Sequence, residues 1–253
     1  MNINLNVFNP FDYTLINKLK KLDSENKKEE FLKFQKKYLE KVTIIENNDP
    51  LLSLREHINK DIQLNLYPLP IEGINDEDRL YLRKIVIEKL NKIQDLLPKG
   101  LHLVIRDAFR NKEMVLKMYD LYFKRAKEKE PNMSDKEIDL WLRNKLAMPD
   151  DVVPPGHMTG GAIDLEIAYD NGEFIPLRHP NTDIINDPKH IYTFNKNLSK
   201  EIYNNRMLLY KSMTRFGFSN FFKEYWHYSY GDAYWALRRK NKTSFYGIPK
   251  INK

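Results

Sequence analysis

The stretch GHMTGGAIDLEI, residues 156–167, combines a strand pattern with two side chains that can bind metal. From residue 161 onward, side chains alternate with the period of two that a β-strand requires. One face carries Ile163, Leu165 and Ile167, and the other carries Ala162, Asp164 and Glu166. Gly160 and Gly161 predict a turn just before this strand. The turn allows His157 to fold back toward Asp164.

On the N-terminal side of this stretch, helix and strand patterns alternate. LHLVI at 101–105 predicts a short strand, and Ser134 with Glu137 forms a capping box that begins a helix ending near Ala147. Residues 148–155 predict a loop. A further helix is predicted by an apolar stripe that ends at Pro98-Lys99-Gly100 and consists of Leu82, Val86, Leu90, Ile93 and Leu97.

On the C-terminal side, residues 169–198 are polar and predict a long loop. A helical stripe from Ile202 to Phe216 then ends at Gly217. YWHYSY at 225–230 has the aromatic density of a strand, and a last helix is expected over about 232–240. Strands and helices that alternate without regular βαβ units predict an α+β fold, with a small antiparallel sheet flanked by helices.

The N-terminal part has a different composition from the rest. It is rich in Lys, Asn and Glu, has helical periodicity, and is interrupted by Pro50, Pro68 and Pro70. We therefore expect a mainly helical N-terminal section over residues 1–73 and a main domain over residues 74–253.

Composition excludes several classes of protein. The chain has 253 residues and no cysteine, which excludes disulfide scaffolds, thiolate metal sites and cysteine nucleophiles. The net charge of +7 comes largely from Lys interleaved with acids near the N-terminus, which is typical of a solvated helix face and predicts no nucleic-acid partner. With no secretion signal or membrane-spanning stretch recognised, we expect a cytoplasmic protein with no membrane partner.

The candidate chemistry lies in three short segments, residues 106–110, 156–164 and 224–227. His157, Asp164 and His227 can form a zinc site, because two imidazoles and one carboxylate leave a position open for water. Glu224 can supply the base that such a site needs, but only if it lies at a bend or bulge before the strand that carries His227. Each motif is also common by chance, and the aromatic residues around His227 are equally typical of a core.

Taken together and in order, these segments resemble one family. HMTGGAID is similar to the His-x-x-Gly-x-Ala-x-Asp motif of the zinc D-alanyl-D-alanine dipeptidases, which belong with the zinc D,D-peptidases and carboxypeptidases. EYWHYSYGDAYWA resembles the Glu-x-Trp-His segment of that family, and DAFR resembles its Asp-Gly-Tyr-Arg segment. The resemblance extends over roughly residues 74–247 and implies a hedgehog-like zinc D,D-peptidase fold.

The resemblance also implies the role of each site residue. His157, Asp164 and His227 would bind one zinc ion, Glu224 would act as general base and then acid, and Arg110 would stabilise the oxyanion. Arg106 is the alternative to Arg110. The implied activity is hydrolysis of D-Ala-D-Ala-type dipeptides in peptidoglycan turnover. Two alternatives stay open: a D,D-carboxypeptidase or endopeptidase that acts on longer stems, and a non-enzymatic zinc-fold binding protein.

The sequence departs from the family pattern at two places. Pro155 stands where the family has a serine that helps to bind substrate, and the loop over 170–198, which includes Arg178 and Asp183, does not follow the pattern. The carboxylate of the substrate therefore needs another donor. The candidates are Arg178, backbone N–H groups near Gly156, and Ser229.

Overall fold

The computed structural model describes residues 13–182 and 188–250, in which helices and short strands alternate. The helices are α1 (Tyr13–Ser24), α2 (Lys28–Leu39), α3 (Leu54–His57), α4 (Lys84–Gln94), α5 (Lys112–Lys129), α6 (Asp135–Arg143), α7 (Gly156–Thr159), α8 (Lys200–Arg215) and α9 (Ala233–Arg238). The strands are β1 (Thr43–Ile44), β2 (Leu51–Ser53), β3 (Gln63–Leu64), β4 (Tyr81–Arg83), β5 (Leu101–Asp107), β6 (Ala162–Tyr169), β7 (Ser219–Asn220), β8 (His227–Ser229) and β9 (Thr243–Ser244). The predicted α+β class is confirmed.

A five-stranded sheet lies at the centre, in the order β3-β5-β6-β8-β7. The pairs from β5 to β7 are antiparallel, as expected, whereas β3 pairs with β5 in parallel. The expectation of an antiparallel sheet is therefore wrong at this edge. The segment after β3 crosses to the other end of the sheet before β5 begins, so a hairpin connection is not possible.

The strand β6 is buried on both faces. Ile163, Leu165 and Ile167 pack in the main core with Leu90 of α4 and Leu209 of α8. The opposite face carries Asp164 and Glu166, which are 5% and 7% exposed. The sheet therefore places two carboxylates on one buried face, where each needs a charged or hydrogen-bonding partner.

The N-terminal section is only partly helical, because strands β1 to β3 follow helices α1 and α2. Leu54 and Ile62 pack in the main core, and β3 extends the central sheet. The division between residues 73 and 74 stays a prediction, but residues on both sides of it share one core. Residues 1–12 of this section lie outside the described part.

The buried Arg83 connects distant parts of the chain. Its guanidinium donates to Thr159 O (2.7 Å), Asp49 O (2.6 Å) and Gly247 O (3.0 Å). It also pairs with the Glu46 carboxylate at 3.0 Å. Beside it, β1 pairs in parallel with β9. Arg83 thus links both terminal regions to α7, the short helix that carries His157.

Several local predictions are confirmed and others are shifted. The capping box of Ser134 and Glu137 is present, although α6 ends at Arg143 rather than near Ala147. Leu82 lies in β4 and Leu97 lies beyond the end of α4, so the predicted stripe spans a strand and a helix. The loop over 169–198 contains a short 3₁₀ turn at Pro188–Ile191, and Asp183 lies outside the described residues.

No helix within residues 13–182 and 188–250 has the length and apolar character needed to cross a membrane. The expected cytoplasmic location stays a prediction.

Candidate active site

The three predicted metal ligands come together from three elements. His157 lies on α7, Asp164 on β6 and His227 on β8, and Asp164 and His227 are direct partners in the sheet register. Gly160 follows α7 with φ +72°, a left-handed conformation that reverses the chain into β6. This reversal brings His157 over Asp164, as the glycine pair predicted.

The donor atoms of these residues have the spacing of a tetrahedral zinc site. His227 Nδ1 lies 3.0 Å from Asp164 Oδ1 and 3.3 Å from His157 Nε2, and His157 Nε2 lies 3.5 Å from Asp164 Oδ1. Ligands about 2.0–2.1 Å from a tetrahedral ion are about 3.3 Å apart. Two nitrogens and one oxygen therefore fit Zn²⁺ and leave the fourth position open.

The neighbours of the ligands orient them for this role. The Nδ1–H of His157 donates to Ala108 O at 2.5 Å, so its Nε2 presents a lone pair to the site. His227 Nε2 lies 3.4 Å from Ser229 Oγ, which leaves Nδ1 for the metal. Burial favours a neutral Asp164, but the facing His157 and His227 outweigh it and hold the pKa of Asp164 well below its usual range. Asp164 is therefore ionised, as a metal ligand has to be.

Glu224 satisfies the geometric requirement stated from the sequence. It lies in a turn before β8 rather than in the strand, and its N–H donates to Phe221 O at 2.9 Å. Asn220 Nδ2 donates to Glu224 O at 3.0 Å and holds the turn against β7. Burial raises the pKa of Glu224, as does Asp164, whereas His227 and Arg110 act in the opposite direction. A raised pKa suits a carboxylate that accepts and returns a proton.

Arg110 lies beside the ligands and is held by Asp107. Its Nε and Nη2 donate to Asp107 Oδ2 at 2.9 and 2.7 Å, and Nη2 lies 3.7 Å from Asp164 Oδ2. Burial disfavours the charged form, but Asp107 and Asp164 outweigh burial and raise the pKa of Arg110. Arg110 is thus a fixed cation at the site.

Arg106, the alternative to Arg110, is placed differently. It lies at the bulge between β5 and β6, and its guanidinium covers the Tyr67 ring at 4.2 Å. Its Nε is 3.3 Å from Glu166 Oε2, and its Nη1 donates to Asn65 O at 2.5 Å. These contacts tie Arg106 to β3 and β6, and it does not line the cavity that contains the other site residues.

A cavity of about 1080 Å³ opens over the site and is lined by Arg110, His157, Asp164, Glu224 and His227. Its opposite wall includes α2, with Phe31 and Lys36, and parts of α5 and α6. The turn that carries Glu224 is packed against α1 and α2, because Lys223 pairs with Asp23 at 2.9 Å and covers the Phe31 ring at 4.5 Å. The N-terminal section therefore forms part of the cleft.

The residues proposed to replace the missing serine differ in position. Pro155 and Gly156 line the cavity. Ser229 is fully buried beside His227, and Arg178 is exposed; neither lines the cavity. Sequence reasoning assigned no role to Asp107, Tyr67 or Arg238, which support or line the site. The signal for Asp107 was available, since it is the first residue of the DAFR segment.

More than half of the chain matches one protein family. A family model described as D-Ala-D-Ala dipeptidase, peptidase family M15, matches residues 72–245. The chain belongs to this family. The match contains all five residues of the predicted metal and catalytic set, and it confirms the prediction of a zinc metallopeptidase. A search of curated proteins found no match.

Two solved structures are similar to the chain. One is the vancomycin resistance D,D-pentapeptidase VanY, a mutant from the VanB-type resistance cassette in complex with Zn(II), with 16% identity and a TM-score of 0.39, covering 80% of this chain and 96% of that chain. The other is VanYB in complex with D-alanine-D-alanine, with 18% identity and a TM-score of 0.39, covering 69% of this chain and 86% of that chain.

Proposed function

We propose that this M15 peptidase hydrolyses the amide bond of D-Ala-D-Ala dipeptides, with peptidoglycan turnover as its role. The observation that supports the proposal is the convergence of one metal-binding triad, the partly exposed Glu224 carboxylate and one fixed guanidinium in a single cavity. The three supply what metal-assisted amide hydrolysis uses: an electrophilic centre, a base and an oxyanion partner.

In this mechanism His157, Asp164 and His227 would hold Zn²⁺, and a zinc ion bound there would polarise the scissile carbonyl and lower the pKa of a bound water. The Glu224 carboxylate takes a proton from the attacking water and returns it to the leaving nitrogen. Burial keeps the pKa of Glu224 above its usual value, which favours this return.

Arg110 stabilises the charge that develops on the carbonyl oxygen. Asp107 holds two of its N–H groups, and the remaining donors are free to face the substrate. Because the guanidinium is already fixed, little reorganisation is needed when the tetrahedral intermediate forms.

The test is Glu224→Gln in the zinc-loaded protein, assayed on D,D-, L,D- and L,L-dipeptides. The amide cannot accept the proton, so kcat for D-Ala-D-Ala should fall at least by the roughly 10²–10⁴-fold typical of a general base. Zinc content and the unfolding temperature should stay unchanged. Glu201→Gln, in the exposed first turn of α8, is the matched control and should keep full activity. A Glu224→Gln protein with more than a tenth of the activity removes this residue from the mechanism.

The size of the cavity favours one alternative, a peptidase that acts on longer stems. A volume of about 1080 Å³ exceeds the roughly 300–1,000 Å³ of pockets for drug-sized ligands, and a dipeptide is smaller than those. Comparing kcat/KM for D-Ala-D-Ala with that for a pentapeptide ending in D-Ala-D-Ala distinguishes the two substrates. A higher value for the pentapeptide assigns the enzyme to the stem peptides.

A further inference from the structure

Arg238, at the C-terminal end of α9, has a position that neither the metal site nor the catalytic pair explains. It is 9% exposed and lines the same cavity as Glu224. Among the described residues that line this cavity, it is the one cation that is buried. A charged group inside a protein needs an opposite charge or several hydrogen bonds.

The described residues give Arg238 little compensation. Its guanidinium lies over the rings of Phe221 (5.1 Å) and Tyr234 (5.9 Å), and its Nη1 is buried without a hydrogen-bond partner within residues 13–182 and 188–250. Within this part of the chain, no carboxylate oxygen lies within 4.0 Å of a guanidinium nitrogen of Arg238, the distance that defines an ion pair. Burial lowers the pKa of Arg238, whereas Asp232 and Glu224 act in the opposite direction without forming an ion pair with it. Asp232 Oδ1 instead caps α9 by accepting from Trp235 N at 2.7 Å.

The other arginines around the cavity are engaged or exposed. Arg110 is held by Asp107, and Arg143 by Asp139 and Asp150. Arg125 is exposed on α5. Of the side chains that sequence reasoning offered as carboxylate donors, Arg178 and Ser229 do not line the cavity. Arg238 is therefore the buried donor with spare capacity in the cavity that also holds Glu224 and the predicted metal ligands.

We propose that Arg238 binds the free α-carboxylate of the substrate and makes the enzyme selective for peptides with a free C-terminus. The inference rests on the proposed function, since it concerns the substrate of that same site. The carboxylate supplies the opposite charge that the buried guanidinium lacks, and a guanidinium can hold it through two parallel N–H bonds. This contact compensates for Pro155, which has no hydroxyl to offer.

The experiment compares D-Ala-D-Ala with its C-terminal amide on wild type, Arg238→Gln and Arg239→Gln. Arg239 is the matched control, because it follows Arg238 directly, covers the Trp235 ring at 5.6 Å and does not line the cavity. In Arg238→Gln, kcat/KM for the free acid should fall roughly 10- to 100-fold, the range of a lost hydrogen bond to a charged group, mainly through KM. The value for the amide should change less than about threefold, because the amide carries no charge to lose.

If the acid-to-amide ratio of kcat/KM is unchanged in Arg238→Gln, the proposal is overturned. This holds whether neither value falls or both fall equally, and an equal fall indicates a structural or catalytic role. If Arg238→Gln does not fold, the same acid-to-amide ratio is measured on Arg238→Met, because the methionine side chain can still pack against the Phe221 and Tyr234 rings. A loss of selectivity in Arg239→Gln of the same size also contradicts the assignment.

Binding to the inactive Glu224→Gln protein separates this inference from the proposed function. Calorimetry should show D-Ala-D-Ala binding roughly 10- to 100-fold more weakly once Arg238→Gln is added, with the amide unaffected. If wild type cleaves no D,D-dipeptide, the proposed function fails. If wild type cleaves the dipeptide and the two binding constants agree, only the role of Arg238 fails.

Discussion

Replacing Asp107 by Asn should destabilise the protein and disturb the site together. Asp107 is 2% exposed and holds two arginines: Arg110, at 2.9 and 2.7 Å, and Arg79, whose Nε lies 3.3 Å from Oδ1. Its Oδ1 also accepts from Ala108 N at 3.0 Å. Asn keeps one acceptor but loses the charge, which leaves the fully buried Arg79 with one carboxylate partner, Asp76.

The magnitude follows from burial. Breaking a buried ion pair by removing one partner costs about 3–5 kcal/mol. At roughly 2–4 °C per kcal/mol for a chain of this size, the unfolding temperature should fall by about 6–20 °C. Asp76→Asn is the control, because Asp76 bonds the same Arg79 at 2.6 Å but its side chain is 62% exposed. Asp76→Asn should cost less than Asp107→Asn, because the exposed Asp76 carboxylate is already hydrated and Arg79 keeps its buried partner Asp107.

Urea denaturation of both variants measures the difference in their free energies of unfolding. Repeating it at one fixed excess of zinc and with a chelator separates the contribution of metal binding from that of the buried ion pair. Steady-state kinetics well below the unfolding temperature should also show a lower kcat for Asp107→Asn, since Arg110 loses its anchor. If Asp107→Asn is no more destabilising than Asp76→Asn, the buried network does not carry the stability that its geometry implies.

Three further predictions concern the reaction. The protein should hold about one zinc ion per chain, and His157→Ala or His227→Ala should remove it; atomic absorption that finds full zinc in both variants contradicts the ligand set. In the zinc-free protein, burial raises the pKa of Glu224, so an NMR titration should find its midpoint above the ordinary value of 4.5; a midpoint at or below that value argues against desolvation of this carboxyl. Arg110→Lys should lower kcat more than it raises KM, because lysine keeps the charge but cannot keep the two bonds to Asp107; a change in KM alone would make Arg110 a substrate-binding residue.

The sequence predicted the parts of the molecule that depend on local pattern. The alternation in β6 and the glycine turn before it placed His157 over Asp164, and the period of two required Glu224 to lie outside the strand of His227. Each of these inferences needs only neighbouring residues and the geometry of a strand.

The parts that depend on distant contacts could not be predicted in this way. Leu82 fits a helical stripe by spacing but pairs in β4 with Leu52 of β2, because tertiary pairing overrides the local period. Arg238 belongs to the site only because α9 folds back over the turn at Phe221, which is not visible in the spacing of the residues. The contribution of α2 to the cleft wall depends on packing between separate parts of the chain.

The position of Arg83 has a consequence for how the protein is made. One of the acceptors of its guanidinium is the carbonyl of Gly247, which the ribosome adds 164 residues later. The same guanidinium holds Thr159 O, at the end of the helix that carries His157. A nascent chain that has emerged as far as His227 therefore already contains all three predicted metal ligands. It does not yet contain the Gly247 carbonyl that helps to hold Arg83 against the helix of His157. We expect α7, and with it His157, to become rigid only once Gly247 has been synthesised and has folded onto Arg83.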